Sequence, residues 1–395
     1  MSGLDRSSRP RRIRRGATLT LVFASVLATG AATGSWSETV PEGRKSATPV
    51  ARSAPLPEPS SAPDDPAAEA ADAAAEAMAD GKSPKKAAED AVSRSGDRWG
   101  SVYSQGEYQE FEQALDGAYT GVGLWARRAA DGGIEVSRVQ EGGPADRAGI
   151  REGDRLSSID GERVTGRPVT EVVALLRGDH AGTPVELRLE RGTRAWSETV
   201  HRARLSTDSV AVTHLSGGAV LIKVAAFTKG SGARVREAVR AAPEGAGILL
   251  DLRGNSGGLV TEAVTASSAL LDGGLVATYD VRGEQRALHA EPGGDTARPV
   301  VVLVDGGTMS AAELLTGALQ DRGRAVVVGS RTFGKGSVQM PSRLPDGSVA
   351  ELTVGHYRTP SGRAVDGRGI TPDLEVEDGA EARAETVLTG LGPPS

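Results

Sequence analysis

The chain of 395 residues contains no cysteine, only five histidines and only 3% aromatic residues. Without cysteine there can be no disulfide, thiolate zinc site, lipoprotein anchor or cysteine nucleophile. The histidines, at positions 180, 201, 214, 289 and 356, include no pair at metal-ligand spacing, so no metal or other cofactor is expected. With 46 basic and 52 acidic residues, the net charge of −6 gives no electrostatic basis for binding nucleic acid. Protein or a small molecule is the expected partner.

The N-terminus has the order of an export signal. Four arginines between positions 11 and 15 precede an apolar run over 17–32, which small residues follow. The run is shorter than the roughly 20 residues of a full membrane span. We predict that residues 1–40 are a signal peptide or an uncleaved membrane anchor. The folded part is then extracytoplasmic, either secreted or anchored to the outer face of the cytoplasmic membrane.

Composition divides the rest of the chain into further units. Residues 41–66 are rich in Pro, Ser and Ala and predict a disordered linker. Residues 67–118 predict a helical segment, first Ala-rich and weakly packed, then carrying an aromatic stripe at 99, 103, 108 and 111 that we interpret as core. The acidic, small-residue tail over 379–395 predicts a flexible end.

Residues 119–205 show short β-type runs separated by Gly and Pro turns, at 121–124, 134–136, 155–159 and 185–189, with helical stretches at 145–148 and 169–176. The string Gly-Gly-Pro-Ala-Asp-Arg-Ala-Gly-Ile over 142–150, followed by Glu-Gly-Asp at 152–154 and Ile-Asp-Gly at 159–161, resembles the PDZ domains of bacterial proteases. The resemblance implies a β-rich domain.

Residues 206–378 alternate apolar strands with helices. Strands are predicted at 219–224, 247–252, 275–279, 300–304 and 325–328, and helices at 233–240, 261–271 and 311–319. Near-continuous apolar strands of this kind indicate an α/β core with a mainly parallel central sheet. Such sheets place their functional sites at the carboxyl ends of the strands.

Ser310 follows one of these strands and begins a helix. The free N–H groups of a first helical turn favour negative charge nearby, which suits a nucleophilic serine. Ser310 and Glu313 also form a Ser-x-x-Glu capping box, so a purely structural helix cap is an equal alternative from this motif alone.

Lys335 follows the next strand, in a segment that nearly matches the phosphate-binding G-x-x-x-x-G-K-[ST] loop. Gly336 stands where that loop needs a hydroxyl, and the residues after it predict a strand rather than a helix. A surface lysine is the other alternative. Sequential strands are often neighbours, so Ser310 and Lys335 could form a dyad in which a buried, neutral amine takes the serine proton. Gln339, four residues on, could orient the amine by a hydrogen bond.

A third candidate element is the glycine-rich turn Asp-Leu-Arg-Gly-Asn-Ser-Gly-Gly-Leu over 251–259. Glycines let backbone N–H groups converge on a developing oxyanion. We predict that the N–H groups of Gly257 and Ala311 form this oxyanion hole. An ordinary strand-to-helix turn is the structural alternative.

Together these elements resemble the C-terminal processing (tail-specific) peptidases, whose pattern is a PDZ domain, a D-L-R-x-N-x-G-G turn, a T-A-S-A-S-E nucleophile segment and a T-F-G-K-G base segment. The resemblance covers about residues 99–376. It implies a ClpP/crotonase-like core, a catalytic set of Ser310, Lys335 and Gln339, and a PDZ loop, Gly121, Val122, Gly123 and Leu124, that binds the C-terminus of a protein or peptide substrate. Met309 and Ala312 depart from the pattern at side positions, which bears on substrate fit more than on catalysis.

The leading hypothesis is therefore a serine endopeptidase. A PDZ adaptor that binds protein tails without cutting them is the first alternative, and a nucleotide-binding enzyme built on 329–336 is the second. A Ser–His–Asp hydrolase using His356 or His289 is a third, although Ser310 does not lie in a Gly-x-Ser-x-Gly elbow.

Overall fold

A computed structural model describes residues 65–129, 131–281 and 284–391. The predicted signal peptide or anchor over 1–40 and nearly all of the predicted linker over 41–66 lie outside the described residues. Within the described ranges, no helix has the length and apolar character needed to cross a membrane.

The N-terminal segment consists of helices and one short strand: α1 (Pro66–Ala79), α2 (Pro84–Arg94), β1 (Ser101–Tyr103) and α3 (Gln105–Leu115). Proline at the first position of α1 and α2 fits a helix start, where its missing N–H is not needed. The small buried faces of α1 and α2 pack on Leu352 of the core. The alanine-rich stretch is therefore an ordered pair of helices, and its small side chains allow α1 and α2 to approach each other closely.

The next unit is the β-rich domain. Its elements are β2 (Ala118–Gly121), β3 (Leu124–Arg128), β4 (Ile134–Val139), α4 (Pro144–Arg147), β5 (Arg155–Ile159), β6 (Glu162–Arg163), α5 (Val169–Leu176), β7 (Pro184–Arg191), β8 (Arg194–His201) and β9 (Ala203–Ser206). Strands β3-β4-β5-β7-β8 form an antiparallel sheet, and β2 pairs with β9 where the chain enters and leaves the domain. The run predicted as one strand at 121–124 instead contains the last residue of β2, a two-residue turn at 122–123 and the first residue of β3.

The central sheet of the core has the strand order β10-β11-β12-β15-β16-β19. Its strands and the flanking helices are β10 (Val210–His214), β11 (Val220–Val224), α6 (Ser231–Ala241), β12 (Ile248–Asp251), α7 (Val260–Leu270), β15 (Val300–Val304), α8 (Ala311–Asp321), β16 (Val326–Gly329) and β19 (Leu374–Glu375). All neighbouring pairs are parallel except β10 with β11. The prediction of an α/β core with a mainly parallel sheet is confirmed.

One predicted strand of this sheet belongs elsewhere. β13 (Leu275–Val281) lies in an antiparallel sheet with β14 (Glu284–His289) and β18 (Val349–Arg358), which also pairs with β1 and with β17 (Ser337–Arg343). Assigning β13 to the central sheet was wrong, because its apolar residues indicate burial but not the strand beside which it is buried. The second sheet joins the N-terminal segment to the core.

The prediction of a flexible tail is wrong for the residues that form α9 (Ala380–Leu391). Its buried residues, Ala384 and Leu388, pack on Leu249 and Val301 of the central sheet. A Cβ atom at Gly247 would lie 2.9 Å from Cγ of Leu388, so the glycine leaves the space that the leucine fills. The composition of the tail did not reveal these apolar contacts.

Candidate active site

Ser310 lies at the junction between β15 and α8, in a strained backbone conformation. It has φ +54° and ψ −117°, values that a residue with a side chain rarely adopts, and it is fully buried. Strained residues persist where the surrounding structure holds them, and they concentrate at functional sites. The geometry is that of a sharp strand-to-helix turn that presents a nucleophile.

Glu313, one turn into α8, holds the serine and lysine segments together. Its Oε2 accepts hydrogen bonds from the backbone N–H groups of Ser310 and Lys335, both at 2.9 Å. Its Oε1 accepts from the N–H of Gly334 at 2.7 Å and from the hydroxyl of Thr332. Burial raises the pKa of Glu313, and these four donors oppose that rise because they favour the carboxylate. The capping-box glutamate therefore caps its helix and also connects the two candidate catalytic segments.

Tyr357 provides a second link between the same segments. Its hydroxyl donates to the carbonyl oxygen of Ser310 at 2.9 Å and to that of Lys335 at 3.3 Å. Burial raises the pKa of Tyr357 well above its ordinary value, so the hydroxyl keeps the proton that it donates. Sequence reasoning assigned no role to this tyrosine.

Lys335 is 1% exposed, which is rare for a lysine. Burial lowers its pKa to about 8, because a low-dielectric environment disfavours the ammonium form, while the charges of Glu351, Asp97 and Asp366 act in the opposite direction. The amine is therefore available as a base at mildly alkaline pH, as the dyad hypothesis requires.

Trp99 of the N-terminal segment covers the amine of Lys335. Its ring centroid lies 5.4 Å from the Lys335 Nζ atom and 5.8 Å from the ring of Phe333. The indole N–H donates to Oδ1 of Asp366 at 3.1 Å, which fixes the ring over the lysine. We interpreted Trp99 as a core residue from the sequence, and no sequence signal placed it at the site, since its partners lie more than 200 positions away.

Replacement of Trp99 by alanine is expected to admit water to Lys335 and so to raise the pKa of its amine. The acidic limb of the pH profile of kcat/KM should then move to higher pH by about one unit. Trp99→Phe is the matched control, because it keeps a ring over the amine and loses only the bond to Asp366. An unchanged acidic limb in Trp99→Ala would show that the indole does not bury the base.

Gln339 has a different partner from the one predicted. Its Nε2 donates to the backbone carbonyl of Trp99. Its Oε1, the acceptor atom that an amine would need, is buried and has no hydrogen-bond partner among the described residues. The orienting role of Gln339 toward Lys335 stays a prediction, and the structure adds that Gln339 holds the backbone of Trp99.

The glycine-rich turn lies directly against the serine. A Cβ atom at Gly257, where φ is +100°, would be 2.9 Å from Cβ of Ser310 and 3.2 Å from N of Ala311. The N–H of Gly257 donates to Oδ1 of Asn255 at 2.9 Å, so this N–H is engaged in the structure, and its role as an oxyanion donor stays a prediction. Ala311 is the first residue of α8, where the N–H group lacks an intrahelical partner, so it stays the predicted donor.

The geometry disfavours two alternatives raised by the sequence. The N–H groups of Gly334 and Lys335, which a phosphate would need, donate to Glu313, and β17 rather than a helix follows the loop. His356 precedes Tyr357 on a strand, so it points to the face opposite the one that contacts Ser310. His289 is exposed at the end of the edge strand β14.

The predicted peptide-binding loop, Gly121 to Leu124, enters the edge strand β3. Val122 is 1% exposed and its carbonyl accepts from the N–H of Ala145 at 2.8 Å. Gly123 has φ +80°, which re-aims the backbone just before β3. α5 packs beside β3, so the loop leads into a strand edge that has a helix next to it. An extended peptide could add to such an edge.

Two family models match the chain. Residues 219–376 match the model of peptidase family S41, and residues 135–191 match that of the PDZ domain. The first match includes the serine, lysine and glycine-rich turn described above. The second falls within the β-rich domain that contains β3 and α5.

The chain is similar to named peptidases. Carboxyl-terminal-processing peptidase 3 of Arabidopsis thaliana is 34% identical over 308 residues, which cover 73% of this chain and 59% of that protein. The carboxy-terminal processing protease CtpA of Bacillus subtilis is 31% identical over 296 residues, covering 74% and 63%. The chain thus spans about three fifths of the length of these relatives. A crystal structure described as an S41 protease from Bacteroides fragilis has the same fold, with a TM-score of 0.50 at 18% identity over 79% of this chain and 86% of that one.

Proposed function

Because this chain belongs to peptidase family S41, we propose that it is a serine endopeptidase that cleaves peptide bonds near the C-terminus of protein substrates. Ser310 is the nucleophile and Lys335 the general base. The observation that carries this proposal is the buried lysine held beside the serine segment, since one carboxylate oxygen of Glu313 accepts from the N–H groups of both residues.

The reaction follows the chemistry of an acyl-enzyme. Neutral Lys335 takes the hydroxyl proton of Ser310 as the serine oxygen bonds to the substrate carbonyl carbon. The N–H of Ala311 donates to the oxyanion that forms. The Lys335 ammonium then protonates the leaving amine as the carbon–nitrogen bond breaks, and water hydrolyses the acyl-serine by the same steps. No step needs a metal or a nucleotide.

We also propose that the PDZ domain captures the substrate by its free C-terminus. The loop from Gly121 to Leu124 would supply backbone donors to the carboxylate, while the substrate strand adds to the edge of β3. A basic side chain lies near the start of this loop. The guanidinium carbon of Arg177 is 5.7 Å from the ring centroid of Tyr119, where the chain enters the domain. The arginine-rich and apolar order of residues 1–40 supports an extracytoplasmic location for this activity.

The test is cleavage of an unstructured reporter protein with a free apolar C-terminus, beside the same reporter with an amidated C-terminus. Amidation should raise KM about tenfold, because the charge-assisted hydrogen bonds to the carboxylate are lost, and should leave kcat nearly unchanged. Cleavage of a peptide too short to reach from the loop to Ser310 should not respond to amidation. Equal KM values for the two reporters would refute tail capture, and binding without cleavage would favour the adaptor.

A further inference from the structure

Glu351, the third residue of β18, is a buried acid that accepts no hydrogen bond from the described residues. Its side chain is fully buried, and neither carboxyl oxygen has a partner among the described residues. The other buried acids of the described chain, Asp154, Asp251 and Glu313, all accept hydrogen bonds from charged or backbone donors. Because an unpaired buried carboxyl group lowers stability, Glu351 is not explained as a structural residue.

The strand register shows what surrounds Glu351. It lies opposite Ser101 of β1 and Pro341 of β17, while Thr353, two residues on and on the same face, lies opposite Gln339. The buried Oε1 atom of Gln339, which also lacks a partner among the described residues, is therefore on the face that Glu351 occupies.

Three titratable groups from three elements interact with the Glu351 carboxyl. They are Tyr103 on β1, Tyr108 on α3 and Lys335 in the segment before β17. Burial raises the pKa of both tyrosines, to about 12 for Tyr108, so each stays neutral over the working pH range. Burial raises the pKa of Glu351 to about 7, and the positive charge of Lys335 opposes that rise, so Glu351 is a carboxylate above about pH 7. Among the charges that act on Lys335, that of Glu351 has the largest effect.

The two other acids that act on Lys335 are already engaged. Asp97 accepts from the backbone and hydroxyl of Thr353 at 2.7 and 2.8 Å. Asp366 accepts from the indole of Trp99 and the N–H of Gly336, both at 3.1 Å, and lies 3.7 Å from His356. Of the three acids, only Glu351 accepts no hydrogen bond from the described residues.

We propose that Glu351 is a positioning residue for Lys335: its carboxylate is the counter-charge that stabilises the proton taken from Ser310. This inference rests on the proposed dyad. When the O–H bond of Ser310 breaks and an N–H bond forms on Lys335, an ammonium appears in a pocket that disfavours charge. Glu351 exchanges no atom, and its negative charge lowers the free energy of that ammonium until the proton passes to the leaving amine.

The test compares the wild type with Glu351→Gln, which removes the charge and keeps the shape, and with Glu351→Met, which replaces the buried polar group by an apolar one. Glu112→Gln is the matched control, because Glu112 is exposed on α3. The first measurement is the titration of Lys335 by NMR in protein labelled at the lysine ε-carbon. The chain has seven lysines, and the Lys335→Arg variant assigns the signal. The second is the pH profile of kcat/KM.

Loss of the counter-charge should lower the pKa of Lys335 by about one unit in both Glu351 variants and shift the acidic limb of kcat/KM to lower pH by the same amount. Glu112→Gln should change neither. A Lys335 titration that stays at the wild-type midpoint in both variants would overturn the inference, and so would failure of both to fold, since that would assign Glu351 a structural role. The proposed dyad is tested separately. It fails if Lys335→Arg keeps wild-type activity, even where the Glu351 variants still lower the pKa of Lys335.

Discussion

Ser310→Ala and Lys335→Met are each expected to lower kcat/KM for an unstructured reporter protein by on the order of 10⁴-fold. The serine hydroxyl forms the acyl-enzyme, and methionine keeps the length and burial of the lysine side chain without its amine. Because the two groups act as a unit, the double variant should be no slower than either single one. Lys82→Met, in an exposed turn, is the control and should be fully active.

The pH dependence of the wild type provides an independent check on the same dyad. Burial places the pKa of Lys335 at about 8, and only the neutral amine can take the serine proton. The value of kcat/KM should therefore rise about tenfold per pH unit up to about pH 8 and level off above it. A serine-directed acylating probe should label Ser310 with the same pH dependence and should not label the Lys335→Met variant. A flat profile between pH 6 and 9 would exclude the buried lysine as the base.

Glu313→Gln should reduce activity about 100-fold and the free energy of unfolding by about 3 kcal/mol. The glutamine amide offers one acceptor oxygen where the carboxylate offers two. Its NH₂ group therefore faces two of the four donors, either the N–H groups of Ser310 and Lys335 or the Gly334 N–H and the Thr332 hydroxyl. Those donors lose their partner inside the protein. The segments that carry Ser310 and Lys335 should then separate, so the loss should appear in kcat more than in KM.

Glu262→Gln is the matched control for Glu313→Gln. Glu262 also accepts from two backbone N–H groups, those of Gly230 and Gly232 at 2.9 and 2.8 Å, but it does so at the start of α6. Glu262→Gln should lower the free energy of unfolding by a comparable amount and have little effect on kcat. Chemical denaturation and steady-state kinetics on both variants measure the difference. Equal losses of kcat would mean that Glu313 acts through general stability alone.

Local patterns predicted the elements that form through local interactions. The strand over 300–304 and the helix over 169–176 have the predicted limits. The order of strand, turn and helix also put Ser310 and Lys335 at the same edge of a parallel sheet. Those features depend on apolar periodicity and on short connections, which are readable within about 20 residues.

Long-range contacts account for what the sequence did not reveal. Trp99 reaches Lys335 and Asp366 because β1 joins β18 across the second sheet, a pairing that no local pattern indicates. Glu351 looks like an ordinary surface position of a strand until its neighbours on β1 and α3 bury it. The hydrogen bond from the Gly257 N–H to the side chain of Asn255 is local, but it depends on a turn geometry that the glycine-rich sequence does not specify.

The pocket around Lys335 has walls that lie far apart in the polypeptide, which matters while the protein is being made. The ribosome releases Trp99 and β1 long before β18 and Asp366. Until the later residues arrive, Asp366 cannot fix the indole over the amine, and β18 cannot pair with β1. A chain that stops before β18 would therefore lack the buried, neutral base that the proposed reaction needs.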